Sequence, residues 1–364
     1  MERMNRSQAE SARRSRPKAL PRLMSGWSLA SAFSSMHIRI PSQIPDPLRS
    51  VPAFKRCEEL NLSGGHKPQT QLRGVQSHQT TADRLGALPN LPGFWEGTGF
   101  SLIARPDFSG RSPNGFFLQL NLLRETIEFT TIGSPVLNRG SAQDDIAIYG
   151  VTYLHRVTDG ETGGALHVEP GMWLNIPATT APKADASIAR LGTIPHGNAF
   201  CTVGFSVTEA IDGVPQIPPG STVPFAIGTK PEPGAANPFA EYDLSVPSQF
   251  RTTPLPHGIT QAIIDDPHQM LRDTVARQIS GQGCTFVERT LLITSSSQSG
   301  GIANIPFISS NANTLDMESV FAIQTVLDAT GNEFLQMQYS QVAMLNFRGM
   351  TFPHITVGTM VKAF

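Results

Sequence analysis

Apolar and polar positions alternate strictly in the second quarter of the chain. After Gly115, Phe116, Leu118, Leu120 and Leu122 fall on one face, and Phe117, Gln119 and Asn121 on the other. A period of two marks a β-strand, because successive side chains of an extended chain point to opposite sides. Similar runs cover Gly93 to Phe100, Thr126 to Ile132, Ile146 to Val157 and Ala165 to Ile176. The stretch Asp159-Gly160-Glu161-Thr162-Gly163-Gly164 turns the chain between the last two. Helical spacing occurs clearly once. Leu271, Val275 and Ile279 recur every fourth residue, behind Asp266 as N-cap and Pro267 at the first helical position, and ahead of Gly281 and Gly283. A single amphipathic helix of this kind is expected to cap a barrel end or cover a sheet edge.

Two segments lack either period. Residues 1–80 are rich in Ser, Arg, Gln and Pro and read as a disordered basic segment, with order beginning near Leu85. Residues 211–255 hold nine prolines and read as an extended linker packed over the surface.

The strands on either side of that linker compare in order. Arg124 to Thr130 matches Glu288 to Thr294, and Tyr153 to Asp159 matches Phe321 to Asp328. Leu166-His167-Val168-Glu169 matches Leu335-Gln336-Met337-Gln338, and Thr193-Ile194-Pro195-His196 matches Thr351-Phe352-Pro353-His354. The expectation is an internal duplication: a first β-barrel unit over 85–210, the linker, then the helix and a second unit over 256–364. The fold class is mainly β, two related barrels or sandwiches in tandem.

Composition agrees. Charged residues are 16% of the chain, with 32 Gly and 29 Pro, as many short strands and tight turns require. The net charge of −1 gives no field favouring nucleic acid. Residues 1–40 carry eight Arg or Lys against two Glu, a composition shared by mitochondrial targeting segments and by plain unstructured tails. No apolar run is long enough for a spanning helix. Cys57, Cys201 and Cys284 form neither a zinc pattern nor a disulfide framework, so reduced thiols in an intracellular, cytoplasmic protein are expected. Walker, dinucleotide, zincin and nucleophile-elbow motifs are all missing.

The segment Gly93-Phe94-Trp95-Glu96-Gly97 resembles the Gly-x-Trp opening of the calycin barrels, the lipocalins and fatty-acid-binding proteins, and that of nitrobindin-type haem barrels. Residues 93–364 also resemble a group of bacterial and fungal proteins labelled haem-binding or peroxidase-like. The resemblance rests on Ala165 to Trp173, Ile194 to Gly197 and Phe334 through His354. It implies a barrel pocket for haem or another flat apolar small molecule.

His167 and Glu169 share one strand face, and their counterparts Gln336 and Gln338 share another. Such a stripe faces either solvent or a wet lumen. In a lumen, His167 is a base or metal ligand and Glu169 its orienting partner. Pro195 and Pro353 fix His196 and His354 at strand starts. Each reads as a corner histidine bonded to a carbonyl or as a proximal haem-iron ligand, with His196 the first choice. Trp95, Trp173 and Phe117 read as an aromatic pocket wall or as ordinary core. Three functions compete: ligand binding, an enzyme of the lumen (haem-dependent and peroxidase-like, or a cofactor-free isomerase or cyclase), and a module without ligand. The last predicts no cavity above about 300 Å³.

Overall fold

The computed structural model describes residues 83–363 apart from 231 and 233. The basic segment 1–80, the targeting reading of 1–40 and Cys57 lie outside the described residues. Ten long strands follow in chain order: β1 (Gly93–Pro106), β2 (Phe116–Thr131), β3 (Ile146–Asp159), β4 (Ala165–Ile176), β5 (Ser187–Ile194), β6 (Asn198–Ala210), β7 (Thr285–Asn304), β8 (Asn313–Leu327), β9 (Glu333–Phe347) and β10 (Met350–Lys362). Each pairs antiparallel with the strand before it. The last, β10, pairs β1 from Trp95↔Lys362 to Leu102↔Ile355 and closes the sheet.

The mainly-β barrel class is therefore as expected, but there is one barrel, not two. The expected boundary between units is instead a seam: β6 pairs β7 across residues 211–284, with Ala210 opposite Glu288 and Asn198 opposite Asn304. Five strands alone would leave two unpaired edges, and joining the halves satisfies all four. The compared stretches fall on corresponding strands counted from β1 and from β6. They part at the Pro-His pair, where His196 lies in the turn after β5 and His354 lies inside β10.

Side-chain parity differs from the sequence comparison. On β4, His167 and Glu169 point into the lumen. On β9, Gln336 and Gln338 point outward instead, buried beneath the helix α2 (His268–Gln282). Gln278 Nε2 donates to Gln336 Oε1 (2.5 Å), and Gln338 Nε2 donates to the carbonyl of Leu271 (3.1 Å). The lumen positions of β9 are Met337, Tyr339 and Gln341. A shift of one residue in a period-two element exchanges the two faces.

The helix starts and stops where its sequence says. Asp266 Oδ1 accepts the His268 N–H (3.0 Å), and Gly283 closes it in the left-handed region at φ 66°. It covers neither a barrel end nor an edge. Its Val275 and Ile279 pack with Phe286 of β7, Val326 of β8 and Phe334 of β9, while Leu271 joins α1 (Gln261–Asp265) and the linker on the outer wall of β1, β2 and β10. There Tyr242, Ile263, Ile264 and Leu271 bury Phe100, Leu102, Phe116, Leu118, Leu120, Ile355 and Val357. The apolar stripe of β2 is thus a core, but one lying outside the barrel. The linker also repairs the sheet, because β2 pairs β3 only from Leu123 to Thr131. Nearer its start, the Leu118 N–H donates to the Phe250 carbonyl (2.8 Å), and the Thr252 N–H returns a bond to Leu118 O (3.0 Å).

One mouth of the barrel is sealed by the turns of residues 83–92. Leu85, Leu88 and Leu91 are buried there against Trp95, whose Nε1 donates to Leu91 O (2.8 Å). Beneath them the lumen is filled by side chains, and glycines make room for the largest. A Cβ on Gly358 would lie 2.4 Å from the Tyr339 ring. Gly358→Ala is accordingly expected to lose about 1–3 kcal/mol by overpacking. Gly133→Ala, which meets nothing within 4 Å, should stay within about 0.5 kcal/mol. Denaturant unfolding of the two variants checks this, and equal stability would contradict the packing described.

Candidate functional site

Below the sealed core, the lumen opens into a cavity of about 500 Å³. Ile103, Leu123, Leu166, Ile302 and Leu345 give it apolar wall, and Gln119, Asn121, Asn198 and Thr314 line it too. Four histidines reach it from different elements: His155 from β3, His167 from β4, His196 from the turn after β5 and His354 from β10. Both Pro-His sites therefore serve one cavity, at the seam of the two halves. The His167 and His196 rings are near parallel at 6.2 Å between centroids, and His155 lies edge-on to His167 at 6.3 Å. His354 Nε2 is 3.2 Å from Ser101 Oγ. No protein hydrogen-bond partner approaches the His196 ring among the described residues.

Under the histidines lies a buried polar layer. Arg190 of β5, 1% exposed, donates through Nη2 to Glu169 Oε1 (2.6 Å), through Nε to Tyr153 Oη (3.1 Å), and through Nη1 to Gln341 Oε1 (2.7 Å). Tyr153 Oη donates to Glu169 Oε1, and His167 Nε2 lies 3.3 Å from the other carboxylate oxygen. The guanidinium also rests on the rings of Tyr153, Trp173, Phe200 and Phe321 at 4.8–5.7 Å. Such faces stabilise a desolvated cation. A second carboxylate, Glu125 of β2, is wholly buried. Its Oε2 accepts from His155 Nε2 (2.7 Å) and from the Tyr339 hydroxyl.

These contacts set the charge states. Burial opposes ionisation of Glu169, but Arg190, with His167 and His155, holds its pKa well below the usual carboxylate range. Burial likewise opposes the Arg190 charge, and Glu169 more than restores it. Burial drives both phenols, Tyr153 and Tyr339, far above their ordinary value, so each stays a hydrogen-bond donor. Burial and then His167 lower the pKa of His196. Burial, His167 and His196 take His354 down to about 4. Both of those imidazoles are neutral at pH 7. Glu169 is a fixed charge that orients His167, and it has no proton to give.

Three expected wall residues lie elsewhere. Trp95 is in the sealed core, and Trp173 is core stacked edge-on to Phe321 at 5.3 Å. Both follow the ordinary-core alternative, because a ring of that size is buried best among apolar neighbours. Phe117 lies against residues 247–255 in a separate cleft, with the Arg105 guanidinium 5.4 Å from its centroid. Sequence reasoning missed His155, Glu125, Arg190, Tyr153 and Tyr339. Tyr153-Leu154-His155 carried a signal, a second polar pair at period two. Among the described residues, no three His, Cys, Asp or Glu side chains converge on a metal-ion site.

No family model matches the chain, and no curated protein matches it. Among solved structures, the crystal structure of Rv2717c from M. tuberculosis is similar over 77% of this chain and 98% of that chain. The identity is 13% and the TM-score 0.38. A likeness this weak says nothing about ligand or activity.

Arg190→Met leaves the Glu169 charge buried without its partner, and is expected to cost about 3–5 kcal/mol at neutral pH. Adding Glu169→Gln should restore much of that loss, as a double-mutant cycle by urea unfolding would show. The sign in pH follows from the lowered Glu169 pKa. Its stabilisation is fully present above the unfolded carboxylate pKa and is lost as pH falls toward the folded value. Glu169→Gln should remove that acid-side slope, and an unchanged slope would contradict the assignment.

Proposed function

We propose that the cavity binds a small, flat, largely apolar molecule, with haem the first candidate and His196 the residue that would ligate its iron. The observation carrying this reading is His196 itself, a neutral imidazole with no hydrogen-bond partner among the described residues, held on an exposed tight turn at the wall of a cavity of about 500 Å³. Ligand sites usually enclose about 300–1,000 Å³ with apolar walls and a few placed polar groups. A barrel filled by its own side chains would leave no such space, which counts against the module without ligand. Haem would use one axial imidazole, with His354 the second choice. Arg105, which lines the cavity and whose guanidinium lies by the Phe117 ring, would supply a positive charge near an acidic edge of the ligand.

A second reading, acid–base chemistry in the lumen, is favoured by one observation, the carboxylates behind His155 and His167 at 2.7 Å and 3.3 Å. Carboxylates in that position fix ring orientation and tautomer and make the imidazole the proton-transfer group. His155 and His167, rather than Glu169, would then be the active groups.

Titration of the purified protein with hemin separates the readings. Binding at the proposed site yields a Soret band that His196→Ala shifts or abolishes, while His257→Ala, at an exposed turn, leaves it unchanged. A wild-type protein that gives no band overturns the haem reading.

A further inference from the structure

We infer that β6 pairs edge to edge, antiparallel, with the same strand of a second copy of this chain, through residues 205–210. This pairing is independent of what the cavity binds.

Closure of the barrel stops short along one strand. β6 pairs β7 as far as Ala210, but β5 begins at Ser187 and meets β6 only from Ile194↔Asn198 to Ile188↔Gly204. Beyond Gly204, one edge of β6 has no neighbouring strand. The Ile211 N–H donates to the Val287 carbonyl (2.8 Å), so the odd-numbered residues of this stretch bond to β7. In an antiparallel ladder the even-numbered ones then direct their N–H and C=O groups the other way. Those of Ser206, Thr208 and Ala210 meet no hydrogen-bond partner on that side among the described residues. All six residues from 205 to 210 are exposed.

An edge of this kind is a template for another chain, and proteins usually blunt it with Pro, Lys, a bulge or a cover. Here the edge reads Phe-Ser-Val-Thr-Glu-Ala, with neither Pro nor Lys. Its one charge, Glu209, accepts from Arg289 Nε of its own chain (2.5 Å). The β-branched Val207 and Thr208 suit extended pairing.

Two-fold symmetry selects the register. Pairing centred on Thr208 sets Thr208 opposite Thr208, and Ser206 opposite Ala210 of the second copy, which matches every unpaired group on both edges. On the outer face it sets Phe205, 56% exposed, opposite Ile211 of the second copy, with Val207, 40% exposed, diagonal to that Ile211. Glu209 stands opposite Val207, so the two acids do not face each other. An unrelated extended peptide would satisfy one edge, whereas a second copy removes two edges at once. A pairing this short buries less than about 1,200 Å² in total, so the dimer is weak, half formed on the order of 10 µM.

Sedimentation velocity of the full chain over a concentration series tests this. The wild type is expected to pass from one chain to two per particle through that range. Thr208→Pro removes an N–H that β7 does not use, as an edge strand tolerates, and should weaken dimerisation at least tenfold. Thr208→Cys puts two thiols across the two-fold axis at a Cα separation of about 5.5 Å, within disulfide reach. Mild oxidation should then join the two substituted positions, as peptide mass spectrometry of the covalent dimer would show. If Thr208→Pro does not fold, the disulfide mapping decides alone. A wild type still monomeric at about 100 µM, a dimer unchanged by Thr208→Pro, or no disulfide between the substituted positions overturns the inference.

Discussion

The lumen is organised by one ion pair, Arg190 with Glu169. A buried guanidinium or carboxylate is tolerated only when its partner and its other hydrogen bonds are supplied in place. Here they come from β3, β4, β5 and β9, with aromatic faces around the cation. The pair separates two environments that a single apolar core would have merged. On one side, Leu85, Leu88, Leu91 and Trp95 close the barrel as an ordinary dry core. On the other side, a polar floor keeps the lumen from being packed shut, and four histidines stand on it. The orientation of His167 depends on this floor, through its contact with Glu169.

Local features of the chain were legible before its pairing was. Alternation located the strands, Asp266 and Gly283 bounded the helix, and the prolines of 211–255 excluded regular structure there. Each of these is decided by nearby residues. Which face of a strand looks inward is decided by what covers the other face, and that cover comes from far along the chain. Phe116, Leu118 and Leu120 are buried beneath Tyr242 and Leu271, so the polar side, with Gln119 and Asn121, turns to the cavity. The same cause exchanges Gln336 and Gln338 with Met337 and Tyr339. Closure was illegible for a related reason. Two half-barrels and two barrels have the same strand order, and only the pairings β6–β7 and β1–β10 distinguish them.

The site was half visible. His167 with Glu169 and the two Pro-His pairs were recognisable as polar residues set at chosen backbone positions, and all four residues reach one cavity. Their partners were not recognisable, since Glu125 meets Tyr339 across 214 residues of chain and Arg190 stands alone in an apolar strand. A lone arginine in such a strand is costly without a buried counter-charge, and it was the one signal in β5 that pointed to the floor. Because each half supplies part of the cavity, neither half would hold the site alone. His196 and His354 thus cooperate in one place, where two separate barrels would have made each an independent copy.

The central claim is that His155, His167, His196 and His354 line one ligand cavity. Histidine-selective nitrogen NMR tests it directly, by adding zinc protoporphyrin as a diamagnetic flat ligand. His257, at an exposed turn, and His268, held on the outer wall by Pro218 O and Ser340, are internal controls. The account predicts that the four cavity resonances shift together and saturate at one ligand per chain while the two controls stay still. Shifts confined to His257 and His268, or cavity histidines that respond at different ligand concentrations, would contradict it.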